Sequence, residues 1–220
     1  MASPGRGPDR VPDHVTHYFP VDDGPFRNLS DIGEVQGREL IAKLALRRAG
    51  NPGFKRVFGP SYLALRKQTE AKMRGLLASM GRKPDRPAPH YFVLGQSQWF
   101  AGLYPAAGEV VLPIANLPLD QTTFTYPDSM IAMGLGEAFG MPPRPRRPYH
   151  DQLFWLTDLP RIVHEFGLPR DGETANYDGY HATSFEYYIE VQVWTDDPVR
   201  SFLQHAGRRE NASSAQTTAR

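Results

Sequence analysis

The chain has 220 residues, of which 22% are charged, and its formal net charge is +1. This length suits one domain with a substantial core, and the near-neutral charge excludes a general electrostatic attraction to nucleic acid or membranes. The lack of cysteine excludes disulfides, thiolate catalysis and cysteine-type zinc sites. No apolar run approaches the ~20 residues of a membrane span, and the first residues do not resemble a signal peptide. We therefore expect a cytoplasmic protein that has no membrane partner.

Both ends of the chain are polar. Residues 1–12 consist mainly of Pro, Gly, Arg and Asp, and residues 207–220 are similarly polar. Such segments bury too little apolar surface to offset the entropy of folding, so they predict a disordered arm and a disordered tail. The region between them, residues 13–206, predicts a single α+β domain without internal repeats.

The first half of this domain predicts one strand followed by two helices. Residues 15–19 (VTHYF) are typical of a short strand. Asp31 and Glu34 have the spacing of a capping box, which predicts a helix over about residues 32–49. A second helix is expected to begin at a proline and end at a glycine, over about residues 60–81.

Short strands dominate the second half. Residues 90–94, 109–114 and 121–126 have β-like patterns, and residues 154–166 suggest a helix that is interrupted or started at Pro160. Residues 142–148 (PPRPRRP) contain too many prolines for regular structure. Two helices followed by several short strands predict an α+β architecture around a strongly bent sheet.

The most informative segment is residues 185–194, whose alternation predicts a further strand. One face of this strand would hold Ile189, Val191 and Val193, and the other would hold Tyr188, Glu190, Gln192 and Trp194. The second face combines a carboxylate, an amide and two aromatic rings with polar ends, which is typical of a cleft lining. An edge strand with one face in water is the alternative interpretation.

Several polar residues are candidates for a site. His14 and His17 suggest a metal pair, but the three-residue spacing puts them on opposite faces of a strand, and a hydrogen-bonding His17 at a cleft edge fits better. Arg66 lies in the middle of the second predicted helix. It is either a solvated helix residue or a bidentate partner for a phosphate, a role for which Arg56 competes.

Four segments, taken in order, resemble the DarT-type ADP-ribosyltransferases, small bacterial enzymes that use NAD to modify DNA bases. The segments are Thr16-His17 with Asn28-Leu29, the strand and loop HYFVLGQSQWF, residues 109–128, and residues 188–204. The resemblance spans most of the chain from about residue 14 to 205. It implies an ADP-ribosyltransferase-like fold, an α+β architecture with a bent, split β-sheet and N-terminal helices.

The resemblance also implies a ligand and residue roles. NAD would be the substrate, no metal would take part, and the acceptor would be a DNA base or another group. The implied catalytic residues are Glu190 and Arg66, with Arg56 as the alternative arginine. The implied NAD contacts are His17, Asn28, Tyr91 and Tyr188.

Two turns depart from the family pattern. The sequence Pro127-Asp128-Ser129 stands where the family has a histidine, and the loop of residues 96–98 lacks the family's arginine. Both departures bear on the acceptor more than on the fold.

The chemistry suits these residues independently of the resemblance. Cleavage of nicotinamide from NAD passes through an oxocarbenium-like ribosyl cation, which a carboxylate such as Glu190 can stabilise. Two other classes of function stay open. One is a non-catalytic interaction module on the same fold, and the other is a small-molecule hydrolase that uses His17 or His90 with a carboxylate.

Overall fold

The computed structural model describes residues 10–169, 177 and 187–205, which form a mixed α and β fold around a six-stranded antiparallel sheet. The strands are β1 (His14–Pro20), β2 (His90–Leu94), β3 (Ala107–Pro113), β4 (Thr122–Thr125), β5 (Phe154–Trp155) and β6 (Glu190–Val193). Their order across the sheet is β3-β1-β2-β6-β4-β5. The predicted mixture of helices and sheet is confirmed. Apart from residues 10–12, the predicted arm and tail lie outside the described residues.

The helices are α1 (Glu34–Gly50), α2 (Tyr62–Ser79), α3 (Gln98–Ala101), α4 (Ser129–Ala132) and α5 (Leu159–Phe166), and residues 197–205 are also helical. Both long helices occur where they were predicted. The capping box is wrong, because α1 begins after Gly33 without a side-chain cap and Asp31 instead accepts a hydrogen bond from Arg86 at 2.6 Å. Helix α5 has Pro160 in its first turn, as a helix that starts at this proline requires, and the first two residues of the predicted range 154–166 pair with β4 instead.

Strand β6 lies in the middle of the sheet, between β2 and β4, so the edge-strand interpretation is wrong. The strand is shorter than the predicted range 185–194, of which residues 185 and 186 lie outside the described residues, but the alternation within it is confirmed. Val191 and Val193 belong to a core cluster that also contains Leu159 and Ile162 of α5. The other face of β6 is directed towards α2. Met73 of α2 packs in one cluster with Trp194, the residue that follows the strand.

Only the first half of that second face lines a cavity. Trp194 is fully buried with Met73 and Leu77 of α2. Gln192 is also fully buried, and its Nε2 donates to Thr125 Oγ1 at 3.0 Å. The prediction that Gln192 and Trp194 line a cleft is therefore wrong. Helix α2 covers this end of the strand and leaves only the Glu190 end open.

Strands β1 and β2 are neighbours in the sheet, but their pairing is short. Strand β1 pairs with β3 over seven residues but with β2 only at Val15–Leu94 and Thr16–Val93. Beyond that point the Tyr91 carbonyl oxygen lies 3.0 Å from Nδ1 of His17 instead of bonding to the β1 backbone. Divergence of two strands leaves backbone polar groups that need other partners, and here a side chain supplies one.

Candidate functional site

A cavity of about 610 Å³ borders the diverging strands, the loop after β1 and helices α1 and α2. This volume falls in the range of small-molecule and cofactor sites. Every residue that the sequence predicted for catalysis or cofactor binding lies on its wall, together with Arg56. The predicted residues are His17, Asn28, Arg66, Tyr91, Tyr188 and Glu190.

A buried carboxylate organises one wall of the cavity. Arg66 of α2 covers the ring of Tyr91, with its guanidinium carbon 3.4 Å from the ring centroid. Glu70, only 2% exposed, lies 3.4 Å from Nε of Arg66 and accepts a hydrogen bond from the Tyr91 hydroxyl at 2.9 Å. Ser30 donates a further bond to the same oxygen at 2.6 Å. Glu70 was not predicted, although its i,i+4 spacing from Arg66 was a readable signal.

Glu190 enters this wall from the central strand. The residue is 6% exposed, its backbone N–H bonds to the Pro127 carbonyl at 3.2 Å, and its Oε1 accepts from Gln192 Nε2 at 3.3 Å. Burial alone would lower the pKa of Arg66, but Tyr91 and then Glu190 outweigh it and raise the pKa. Arg66 therefore stays charged beside the carboxylate of Glu190.

Arg56 has a different environment. Its Nη1 donates to the Tyr104 hydroxyl at 2.6 Å, and its guanidinium lies 5.2 Å from the Phe58 ring centroid and 5.4 Å from that of Phe100. Among the described residues, no carboxylate forms an ion pair with it. A partly buried cation without a counter-charge, on the wall of a cavity, is suited to an anionic ligand.

Aromatic rings form the adjoining wall. Tyr188 stacks with Trp99 at a centroid distance of 6.3 Å and meets Phe100 edge-on at 5.4 Å. Burial, with added repulsion from Asp128 and Glu190, raises the pKa of Tyr188, so that its hydroxyl stays neutral. Such a wall can stack against a planar heterocycle.

His17 and Asn28 are both committed to protein contacts. The Phe26 N–H donates to Nε2 of His17 at 3.0 Å, so Nδ1 carries the hydrogen and donates to the Tyr91 carbonyl. Burial lowers the pKa of His17 to about 4.

The Asn28 side-chain amide donates to Pro89 O at 3.1 Å and accepts from Ser30 N–H at 3.1 Å. The contacts of His17 and Asn28 with NAD stay predictions. Because both ring nitrogens of His17 are hydrogen-bonded within the protein, His17 could contact a ligand mainly through the face of its ring.

Asp128 also lies on the cavity wall and was not predicted as a site residue. Its Oδ1 caps α4 by accepting from the N–H groups of Met130 at 2.9 Å and Ile131 at 3.2 Å. Its Oδ2 is buried without a hydrogen-bond partner. Burial, followed by the charge of Glu190, raises the pKa of Asp128 to about 7. An Asp before a short helix is a normal N-cap, so no local pattern indicated that its second oxygen would lack a partner.

His90, one of the two histidines considered for a hydrolase, belongs to a cluster of ion pairs. His90 Nε2 lies 2.9 Å from Asp196 Oδ1, and the same oxygen contacts Arg86. Arg86 also binds Asp31. This ion cluster ties β2 to the segment after β6 and to the turn before α1.

No family model, curated protein or solved structure matches this chain. Within residues 10–169 and 187–205, no helix is long and apolar enough to cross a membrane. The same residues contain no cluster of three or more His, Asp or Glu side chains placed to hold a metal ion.

Proposed function

We propose that the cavity binds NAD and that the protein transfers ADP-ribose from it to an acceptor, on an ADP-ribosyltransferase-like fold. The observation that carries this proposal is the position of Glu190. A buried carboxylate leaves the central strand at the point where two arginines and an aromatic wall converge on one cavity. The short pairing between β1 and β2 agrees with this fold, because a split sheet is what the family resemblance implies.

The reaction requires stabilisation of a positive charge that develops on the ribose. As the bond from C1′ to the nicotinamide nitrogen breaks, its electron pair moves to the ring and leaves an oxocarbenium-like sugar. The side chain of Glu190 can accept a hydrogen bond from a ribose hydroxyl and lower the energy of this cation. Its single bond from Gln192 leaves the carboxylate further capacity to accept such bonds.

The two arginines suit different parts of NAD. Arg66 is already compensated by Glu70 and interacts with Glu190, so we assign it to the reacting end. Arg56 has no carboxylate partner in the described part of the chain and is the better pyrophosphate ligand. The ring of Tyr188 stands ready to stack on nicotinamide or adenine.

The proposal includes the kind of acceptor and the cellular location of the protein. A nucleic-acid base is the acceptor that the family resemblance implies, and a cytoplasmic location is the one in which NAD and such an acceptor meet. The acceptor is best found by incubating the protein with labelled NAD and a pool of DNA, RNA and proteins.

The direct test combines NAD binding with turnover. Millimolar NAD should raise the melting temperature, and nicotinamide should be released. Glu190→Gln should lower turnover by roughly 10²–10³-fold while keeping the fold. Glu109→Gln is the matched control, since this strand glutamate is exposed and lies outside the cavity. NAD binding without turnover would indicate a non-catalytic module. The absence of both NAD binding and turnover would refute the proposal.

A further inference from the structure

The carboxylate of Asp128 is held firmly at the cavity, with one oxygen left over. Two backbone N–H groups bind Oδ1 and fix the orientation of the group. The residue is only 6% exposed, and its Oδ2 is buried without a partner. The cavity is the space that Asp128 borders, together with Glu190 and Arg66.

Helix capping does not account for this second oxygen. A cap needs one acceptor, and Ser or Asn would provide it without a charge. A buried polar atom without a partner destabilises the fold, so its retention calls for another explanation. A ligand group that donates a hydrogen to Oδ2 would complete the carboxylate.

The charged surroundings leave Asp128 suited to exchange a proton near neutral pH. Burial and the carboxylate of Glu190 on β6 raise its pKa to about 7, whereas the two N–H bonds and Arg66 on α2 act in the opposite direction. The phenol of Tyr188, just before β6, also interacts with it electrostatically. A general base is most effective when its pKa lies close to the working pH.

We infer that Asp128 is the general base that removes a proton from the acceptor, and that the acceptor nucleophile is consequently an O–H or N–H group. This inference rests on the proposed function. The acceptor oxygen or nitrogen forms a bond to C1′ as nicotinamide departs with the electron pair of the broken bond. The acceptor proton passes to Oδ2 of Asp128 and then to solvent. Glu190 meanwhile stabilises the sugar cation, so the two carboxylates perform separate tasks.

The test uses NAD itself, with water as the acceptor and nicotinamide release as the readout. Asp128→Asn keeps Oδ1, and with it the cap of α4, but cannot take up the proton. We expect kcat to fall roughly 10²–10⁴-fold with KM for NAD nearly unchanged. The wild-type kcat should rise with pH through about 7, and Asp128→Asn should lose this rise. Asp120→Asn, at an exposed site outside the cavity, is the control.

The outcomes distinguish failure of Asp128 as the general base from failure of the proposed NAD-dependent transfer. If the wild type turns over NAD and Asp128→Asn keeps the same kcat and pH profile, Asp128 is not the base and Glu190 keeps its role. If the wild type neither binds nor cleaves NAD, both ideas fail. Asp128→Ser, which also retains a cap acceptor, serves as the second variant if Asp128→Asn does not fold. An unchanged kcat and pH profile in Asp128→Ser would likewise show that Asp128 is not the base.

Discussion

The guanidinium carbon of Arg66 lies 3.4 Å from the centroid of the Tyr91 ring. The two side chains come from different layers of the fold, α2 and β2, and both contact Oε1 of Glu70. A cation held between a ring face and a buried carboxylate keeps one position. This arrangement fixes the direction in which Arg66 presents its charge to the cavity.

Replacing Glu70 tests this arrangement. Glu70→Gln removes the charge that balances Arg66, and we expect the free energy of unfolding to fall by about 1–3 kcal/mol. Turnover of NAD should decrease more than affinity, because Arg66 loses its position near the reacting end. Urea denaturation and steady-state kinetics measure the two effects. Glu34→Gln removes an exposed i,i+4 pair with Arg38 and should change stability by less than about 0.5 kcal/mol. Equal losses in both variants would contradict the role of Glu70.

Arg56 is expected to bind the pyrophosphate. Arg56→Gln should raise KM for NAD by about 10-fold or more, since a hydrogen bond between charged partners is lost. ADP should lose its advantage over adenosine as a competitive ligand, whereas Arg56→Lys should retain part of it. Arg38→Gln, at an exposed position on α1, is the control. An unchanged preference for ADP in Arg56→Gln would move the anion site elsewhere.

The burial of His17 makes stability depend on pH. Its pKa is about 4 in the folded protein, against an ordinary value of 6.5. Between these values the unfolded chain takes up a proton that the folded protein does not. Stability should therefore fall as the pH drops from about 6.5 to 4, by on the order of 3 kcal/mol from this group.

Urea denaturation at a series of pH values measures this dependence. His17→Gln should reduce the slope of stability against pH between 6.5 and 4, because the titrating ring is gone. His164→Gln, at an exposed helix position, should keep the wild-type slope. Identical slopes in the two variants would show that His17 is not the group responsible.

Trp194 and Tyr188 should respond differently to substitution. Trp194 is fully buried and its Nε1 donates to Thr123 Oγ1 at 2.8 Å. Trp194→Phe should reduce the free energy of unfolding by about 1–3 kcal/mol and leave KM for NAD unchanged. Tyr188→Leu should raise KM, because Tyr188 lines the cavity. A similar rise in KM for Trp194→Phe would place the tryptophan in the site after all.

Local patterns were sufficient for the principal elements. The period-2 alternation around Glu190 predicted β6, and the prolines, glycines and apolar spacing located α1 and α2. These features depend on interactions between residues close in sequence, which a sequence displays directly. The predicted site residues also meet at one cavity. Their convergence was expected only from the family resemblance, because no local pattern contains it.

Other features arose only when distant segments packed together. Glu190 and Trp194 occupy equivalent positions in the alternating pattern around β6. Helix α2 nevertheless covers Trp194 and leaves Glu190 at the cavity. Asp128 has the sequence position of an ordinary helix cap, but burial and the neighbouring Glu190 raise its pKa to about 7. The sequence by itself determined which residues could do chemistry. The tertiary structure decided which of them are desolvated, paired or left facing the cavity, because those properties depend on neighbours far away in the chain.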